Sequence, residues 1–384
     1  MTDHIPDELS VVGKDPRAYT DTLRPLHGIV RNAQGEWVLL RHALVVQAAL
    51  DHERFSNAVS SHLQIPNGLD GDEHTAYRAA LDVFLDAQAL APFHERFRRV
   101  AAELLAALPR GVAVDAVSQL GARYAVRAQS AWLSWPADLE ERLVAWVAEN
   151  HAATRSGDRA RTQRVAQSFD DIIRTVLDHC RGAAREHDAE NVTARLMRTE
   201  VNGKPLGEAQ IVSVLRNWTG GDLGSMALCV GVLLHHLATQ PALQSRLRAP
   251  GVPDAEFDAV IDEILRIDDP FVSNRRVTTC PVTIGGVALP EGARVKLNWT
   301  SANRDAAVFG DPDAMDPQRN APHNLVYGIG KHVCPGRLLA TLQMRILLRE
   351  LLVATASITL DAQQPAERAI SPVGGWAKLP VVLG

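Results

Sequence analysis

Between about residue 74 and residue 266, apolar side chains recur every three or four positions, the spacing of helices that bury one stripe. Ala, Leu and Arg dominate these stretches, and all three are good helix formers. The pattern predicts helices over Phe93–Leu108, Leu139–His151 and Val165–Glu186. The longest and most apolar predicted helix, Glu208–Thr239, holds three glycines at its centre, in Trp218-Thr219-Gly220-Gly221-Asp222-Leu223-Gly224-Ser225. Glycine costs roughly 1 kcal/mol inside a helix. Three together predict a kink, or a backbone that something flat approaches closely.

On either side of this helical body the period changes. Gly28–Val30 and Trp37–Arg41 flank the turn-like Asn32-Ala33-Gln34-Gly35 and predict a hairpin, with helical spacing over His42–Leu50 after it. Beyond Arg266, Val282–Ile284, Val287–Leu289 and Arg294–Trp299 are short strand-like runs separated by Gly-Gly and Pro-Glu-Gly turns. A loop rich in Asp, Pro and Asn leads to the glycine-rich segment Tyr327–Gly336 and a last long helix to about Val353. The fold class is mainly α with a small β portion, and residues 1–384 read as a single domain.

Apolar residues make up 46% of the 384, enough for a large core, and the net charge is -5. Mild acidity gives no reason to expect nucleic acid or an anionic membrane as partner. The opening MTDHIPDELS lacks the basic and then apolar order of a signal peptide, so a cytoplasmic protein is expected. Cys180, Cys229, Cys280 and Cys334 lie far apart and form no CxxC pair, which argues against a disulfide framework or a structural zinc module.

Chemistry concentrates around Cys334. Gly328, Gly330 and Gly336 let the backbone fold tightly around it, and Pro335 stiffens the turn. The cysteine sits just before the helix Arg337–Val353, where unpaired N–H groups and the helix dipole favour an anion such as a thiolate. The same residues also describe a plain glycine loop around a small buried cysteine. Glu263 and Arg266, three apart on a predicted helix, share a face and can pair. Most such pairs are solvated surface contacts worth little.

Together the pieces resemble the cytochrome P450 monooxygenases. Tyr327–Ala340 resembles the family's haem-binding signature F-G-x-G-x-H-x-C-x-G-x-x-L-A. Tyr327 stands for the Phe, and Gly328, Gly330, His332, Cys334, Gly336, Leu339 and Ala340 match. Glu263 and Arg266 resemble the E-x-x-R pair, and Ala302-Asn303-Arg304-Asp305 the ANRD stretch. Asp316-Pro317-Gln318-Arg319 resembles the segment whose Arg joins that pair, and His74-Thr75-Ala76-Tyr77-Arg78 the H-x-x-x-R motif. The likeness runs from about residue 20 to the end. It implies the P450 fold, with heme b (iron-protoporphyrin IX) between the long central helix and the helix after the Cys loop. It implies Cys334 as the metal ligand, whose thiolate donation favours O–O cleavage. It also implies His74, Arg78, Arg276 and His332 as partners of the propionates, with Gly336 in the cofactor cradle. Glu263, Arg266 and Arg319 would be structural.

Several positions depart from the family. Its A/G-G-x-D/E-T motif, read on to Thr219-Gly220-Gly221-Asp222-Leu223, keeps the acid as Asp222 and puts Leu223 at the alcohol. Leucine donates no hydrogen bond. Ser225 and Thr219 are nearby hydroxyls outside that position. Proton delivery would then rest on water held by Asp222 and the open backbone of Gly220 and Gly221, or on a hydroxyl of the substrate. Otherwise the enzyme uses peroxide, or the register differs. A plainer role for Asp222 is to cap a broken helix. The stretch Ser56–Leu69 is short for a substrate-covering loop. Val59, Leu63 and Ile65 from it, with Trp218, Leu223, Phe271 and Val272, are pocket candidates, and their apolarity points to a small apolar or aromatic substrate. Pro281 and Met315 replace a family Asp and Phe, with effects expected on local packing alone.

The resemblance implies oxygen activation with electrons from a separate ferredoxin- or flavodoxin-type donor and its reductase. Lys331, Arg337, Arg98 and Arg99 are candidates for its docking face. Alternatives are a peroxygenase, a non-catalytic haem-thiolate sensor or carrier, and a zinc site built from Cys334, His332 and His323.

Overall fold

The computed structural model describes residues 14–60, 62–183 and 191–384. The predicted helices form as α1 (His42–Leu50), α2 (Gly71–Leu81), α3 (His94–Ala107), α4 (Arg123–Leu133), α5 (Glu140–Ser156), α6 (Arg159–Ala183), α7 (Glu208–Thr239), α8 (Asp254–Ile267) and α9 (Arg337–Ala354). Helix α6 starts six residues before the predicted Val165, because Arg159–Arg164 is polar and carries no apolar stripe to read. The predicted end at Glu186 lies outside the described residues.

By length and composition alone, helix α7 is long and apolar enough to cross a bilayer. It is instead the core helix of the fold, with Val214, Leu215, Ala227, Leu233, Leu234 and Leu237 fully buried. A π-helical segment, Ala116–Ala122, lies against it so closely that a Cβ on Gly121 would sit 2.7 Å from the Ala227 carbonyl. Helix α7 continues without a break through the three glycines at its centre. Flat rings occupy the space two of them leave. A Cβ on Gly220 would sit 3.3 Å from Trp146 and 3.4 Å from Phe169, and one on Gly224 only 2.7 Å from His151 Nε2. Gly221 faces open space.

The largest sheet of the β portion has five strands. β1 (Ile29–Arg31) and β2 (Trp37–Leu39) form the predicted hairpin, with Ile29 opposite Leu39. β7 (Arg294–Asn298) joins β2 in parallel, then pairs antiparallel with β4 (Ser273–Thr278), which β3 (Phe55–Ser56) closes. β5 (Val282–Ile284) and β6 (Val287–Leu289) make a separate hairpin. Alternation along β4 puts Asn274 and Arg276 on one face and exposes Arg275 on the other.

The Glu263–Arg266 pair is buried, not a surface contact. Arg266 donates to both carboxylate oxygens at 2.9 Å, and to the carbonyls of Asn303, Pro312 and Ala314. Glu263 also accepts from the Asp316 backbone at 3.0 Å and from Asn320 Nδ2 at 2.7 Å. Asn320 thus joins the pair. Arg319, its expected third member, is exposed, because the turn after Pro317 points that side chain outwards. The neighbouring motif residues lock the same corner. Asn303 Oδ1 accepts from the Leu325 N–H, Arg304 bridges Asp21 and Asp313, and Asp305 accepts from the His42 N–H.

Candidate active site

A cavity of about 340 Å³ lies between α7 and the Cys334 loop, within the size range of small-molecule sites. Its floor is the loop. Gly328 (φ 71°) and Gly330 (φ 77°) adopt left-handed backbone, and a Cβ at 330 would meet Leu50 of α1 at 2.9 Å. The Cys334 N–H donates to the Tyr327 carbonyl at 2.8 Å, closing the loop. Cys334 is exposed only in the sense that its surface opens on to this interior cavity. Burial pushes its thiol up to about 11, with Asp222 adding to the shift, while backbone hydrogen bonds from Gly336 and Arg337 favour the thiolate. Such a sulfur stays protonated until a metal displaces the proton. The Tyr327 ring lies beside it, its hydroxyl 3.0 Å from Thr341 Oγ1.

The roof is one face of α7. Trp218, Gly221, Asp222, Ser225, Met226 and Cys229 line the cavity at helical spacing. Leu223 is 2% exposed and points into the core, so it neither lines the cavity nor stands where a proton-delivering alcohol would. Gly220 packs on Trp146 and Phe169, away from the cavity. The cavity-facing hydroxyl is Ser225. Placed at the alcohol of A/G-G-x-D/E-T, it moves the register to Gly221-Asp222-Leu223-Gly224-Ser225 and puts Gly224 at the acid. Ser225 Oγ donates back to the Gly221 carbonyl at 2.9 Å. The Asp222 carboxyl accepts no hydrogen bond among the described residues, so it does not cap the helix. Burial pushes it up to about 7.

The side wall is cationic. Arg276 of β4 and His74 and Arg78 of α2 meet His332 there. Arg276 is 5% exposed, yet no carboxylate lies within ion-pair distance among the described residues, and its guanidinium donates only to the adjoining Arg275 carbonyl. Burial brings it down to about 10. His74 Nδ1 and His332 Nε2 are buried without a hydrogen bond, the nearest anion being Asp70 at 3.4 Å from His332. Burial lowers the two rings to about 4 and about 3. Arg78 is anchored by Asp82 and donates to the Val333 carbonyl at 2.9 Å. A buried, uncompensated cation is unfavourable, so this wall is built for an anionic group.

The loop before α2 departs from expectation. Val59 and Leu63 are 38% and 44% exposed and do not line the cavity. The segment is tied to α7 through backbone groups, with Ser213 and Asn217 bonding Ile65, so its apolar side chains turn elsewhere. Ile65 is buried in the core, while Asn57, Pro66 and Asn67 reach the cavity. Phe271 lines it, but Val272 is buried beneath, its carbonyl accepting from the Trp299 N–H. Cys229, Gln129 and Asp269 line the cavity without having been singled out. Asp269 sits far above the usual carboxylate range through burial. The zinc alternative fails on geometry, since His323 lies against His42, outside the cavity that Cys334 and His332 share.

A family model described as cytochrome P450 matches residues 257–366. Cyclomarin C epoxidase CymV of Salinispora arenicola is 29% identical over 81% of each chain. Erythromycin C-12 hydroxylase of Saccharopolyspora erythraea is 25% identical over 94% of this chain and 93% of its own. Among solved structures, ligand-free cytochrome P450 TbtJ1 superposes with a TM-score of 0.84 at 25% identity, covering 96% of this chain and 97% of that one. A mutant of P450 EryK in complex with erythromycin B gives 0.83 over 96% of each. The glycine-wrapped cysteine, Arg276 and the buried Glu263–Arg266 corner fall within the matched residues 257–366, and the family match, the relatives and the structural neighbours together support a cytochrome P450.

Proposed function

We propose that this chain holds heme b through Cys334 and inserts one oxygen atom of O2 into a small, largely apolar or aromatic substrate. The balanced reaction takes substrate, O2, two electrons and two protons to oxidised substrate and water. The observation that carries the reading is the unpaired Arg276 cation in the same cavity as Cys334. Arg276, Arg78, His74 and His332 would hold the propionates, and Gly336 leaves the space beside the sulfur open, a Cβ there lying 3.8 Å from Sγ. When bound, the haem iron supplies the oxygen-activating redox chemistry.

The protein's own groups then divide the remaining work. Asp222 holds a proton near neutral pH, and Ser225 presents a hydroxyl one helical turn further along the cavity face. Trp132, Trp218, Met226 and Phe271 exclude water and receive an apolar body, while Asn57, Asn67, Gln129 and Asn217 offer polar contacts at its margin. The hydroxylase and epoxidase relatives support oxygen insertion. A ferredoxin- or flavodoxin-type donor would dock over the Cys loop. There Arg337 is 54% exposed despite its 2.7 Å pairing with Asp262, whereas Lys331 is bonded to the Gly71 carbonyl. Arg98 is already engaged by Glu95, and Arg99 is exposed.

Two measurements test this. With NADH, a reductase and a separate donor, Ser225→Ala is expected to reduce product formed per NADH on the order of a hundredfold, as loss of a positioned proton donor does. Leu223→Ala should leave that ratio near wild type. Turnover faster with peroxide than with NADH would instead favour the peroxygenase. Arg276→Leu should release haem to a competing acceptor faster by on the order of tenfold, for a lost charge-assisted bond of about 1.5–3 kcal/mol. The haem-free form should at the same time melt higher, having lost a buried charge. Both changes in the opposite sense would remove Arg276 from the propionate site.

A further inference from the structure

Besides its cationic wall, the cavity holds two acids, Asp222 on α7 and Asp269 in the segment after α8. Asp269 turns to its own neighbours. Its Oδ1 accepts from the Phe271 N–H at 2.8 Å, and its Oδ2 from Asn303 Nδ2 at 3.5 Å. Asp222 has no such tie. Among the described residues no donor bonds its carboxyl, and no Arg, Lys or His lies within ion-pair distance of it. Arg216, on the same helix, is already paired with Asp170 of α6. The cavity's own cations, Arg78 and Arg276, are engaged by the propionates in the reading above, so the chain has nothing left to neutralise this carboxylate. The Asp222 charge reaches both Cys229 and Cys334, so it is felt across the cavity from roof to floor. The surface beside it is aromatic. Trp218 precedes Asp222 by one turn on the same face of α7, and the Trp132 ring of α4 leans on it, with centroids 5.2 Å apart and planes tilted by 48°. Gln129 donates to the Trp218 carbonyl and fixes that residue from α4. Both indole nitrogens are buried without a partner, so the rings offer the cavity carbon π-surface and not an N–H. A carboxylate without a counter-charge, next to the faces of two indoles, is the chemistry that receives an ammonium group.

We propose that the substrate carries a basic nitrogen on its small apolar or aromatic body, and that Asp222 pairs with the protonated amine while Trp218 and Trp132 lie along its alkyl groups. The inference rests on the oxygen-inserting reading above and names the substrate class of that same cavity. It makes Asp222 a specificity-determining residue, separate from the hydroxyl at Ser225. In the register that puts Ser225 at the alcohol of A/G-G-x-D/E-T, Asp222 stands where the motif has glycine. Its side chain is therefore an addition to the motif and not the motif's acid. The addition has a cost, because an ionised carboxyl in a sheltered place is unfavourable until a cation joins it. Burial accordingly pushes Asp222 up to about 7, so the group ionises near neutral pH when an ammonium arrives. A neutral apolar molecule of the same shape gains nothing from it. An anionic one is repelled by it, and finds the cationic wall engaged by the propionates.

The test uses haem-loaded full-length protein at about pH 8, above the value to which burial pushes Asp222. The probes are N,N-dimethylbenzylamine, its carbon isostere isobutylbenzene, and the anion phenylacetate. A protonated tertiary nitrogen has no lone pair for iron, so its binding is read from the spin shift of the Soret band and from calorimetry. Asp222→Asn, which keeps the shape, is expected to weaken the amine on the order of tenfold or more, as loss of a charge-assisted bond does, while isobutylbenzene keeps its wild-type affinity. Asp222→Ser, a second neutral variant, should show the same selective loss. Trp218→Leu should weaken the amine more than isobutylbenzene by on the order of threefold, for a lost cation–π face. Phenylacetate should bind wild type least of the three. An amine-to-isobutylbenzene affinity ratio that stays at the wild-type value in both Asp222 variants would overturn the proposal, as would a wild type that does not bind the amine or prefers phenylacetate to it. An amine that moves the Soret band to the red, the mark of nitrogen on iron, would overturn it too. Failure of the haem-thiolate reading would show separately, as a missing far-red-shifted carbon monoxide band in wild type and variants alike.

Discussion

Cys334→Ala is expected to abolish the far-red-shifted Soret band that carbon monoxide gives the reduced protein, and to reduce NADH-driven turnover to background. The chain offers a sharp internal control, because two thiols face the same cavity. Cys229 looks down from α7, and Cys334 looks up from the loop. Burial and Asp222 raise both, but only Cys334 has groups that oppose the shift. Burial raises Cys229 far above the ordinary thiol range, and the carboxyls of Asp269 and Asp222 raise it further. Cys334 is raised by burial too, but the backbone N–H groups of Gly336 and Arg337 bond its sulfur and support a negative charge there. A metal selects the sulfur whose deprotonation the protein opposes less. Cys229→Ala should therefore keep the band at full amplitude. A band that survives in Cys334→Ala and disappears in Cys229→Ala would invert the assignment of floor and roof.

Much of this arrangement is legible in the sequence, for identifiable physical reasons. The Cys334 loop declares itself because three glycines, a proline and a helix start are local features, and local features do not depend on tertiary context. Helix α7 is predicted to the residue, since a long apolar run bounded by Gly207 and Pro241 admits few other structures. Its rotation is another matter. A helix buried on nearly every side carries no polar stripe to say which face looks where. The reading that put Leu223 at the alcohol failed for that reason. Ser225 and Cys229 emerge only once α5, α6 and the Cys loop are in place around the helix.

The same limit explains the other misplacements. Val59 and Leu63 are apolar residues in the right loop, but the loop is held by backbone bonds to Ser213, Arg216 and Asn217, which fix the main chain and leave those side chains outside. Arg319 and Asn320 are adjacent, and either is chemically suited to a buried carboxylate. Only the turn at Asp316–Pro317 decides that Asn320 points inwards. His151 gave no local signal, since a lone histidine in an amphipathic helix reads as an ordinary half-buried residue. A signal did exist on the other chain segment, in the three glycines whose missing side chains ask what fills the space.

The largest stability effect should come from the corner behind the Cys loop. Arg266 is fully buried, and its guanidinium is satisfied by Glu263 together with three carbonyls from the segment 303–314. Glu263 in turn holds the Asp316 backbone and Asn320, so one ion pair fixes α8 to the long loop that leads into Tyr327. Glu263→Ala leaves a buried cation uncompensated and two donors unpaired. It is expected to destabilise the protein by about 3–5 kcal/mol, as breaking a buried pair from one side does. Arg266→Ala should cost a similar amount, and the double variant less than the sum, because the second removal relieves the charge left by the first. Arg319→Ala, one residue from Asn320 but exposed, should change little. Because the corner carries the loop, Glu263→Ala should also fail to retain haem at temperatures where the wild type does, without any contact between Glu263 and the cavity. Chemical denaturation of the haem-free and haem-loaded forms of these four variants would check the ordering. Additive losses for Glu263→Ala and Arg266→Ala, or an Arg319→Ala loss as large as either, would mean that the two buried residues do not act as one unit.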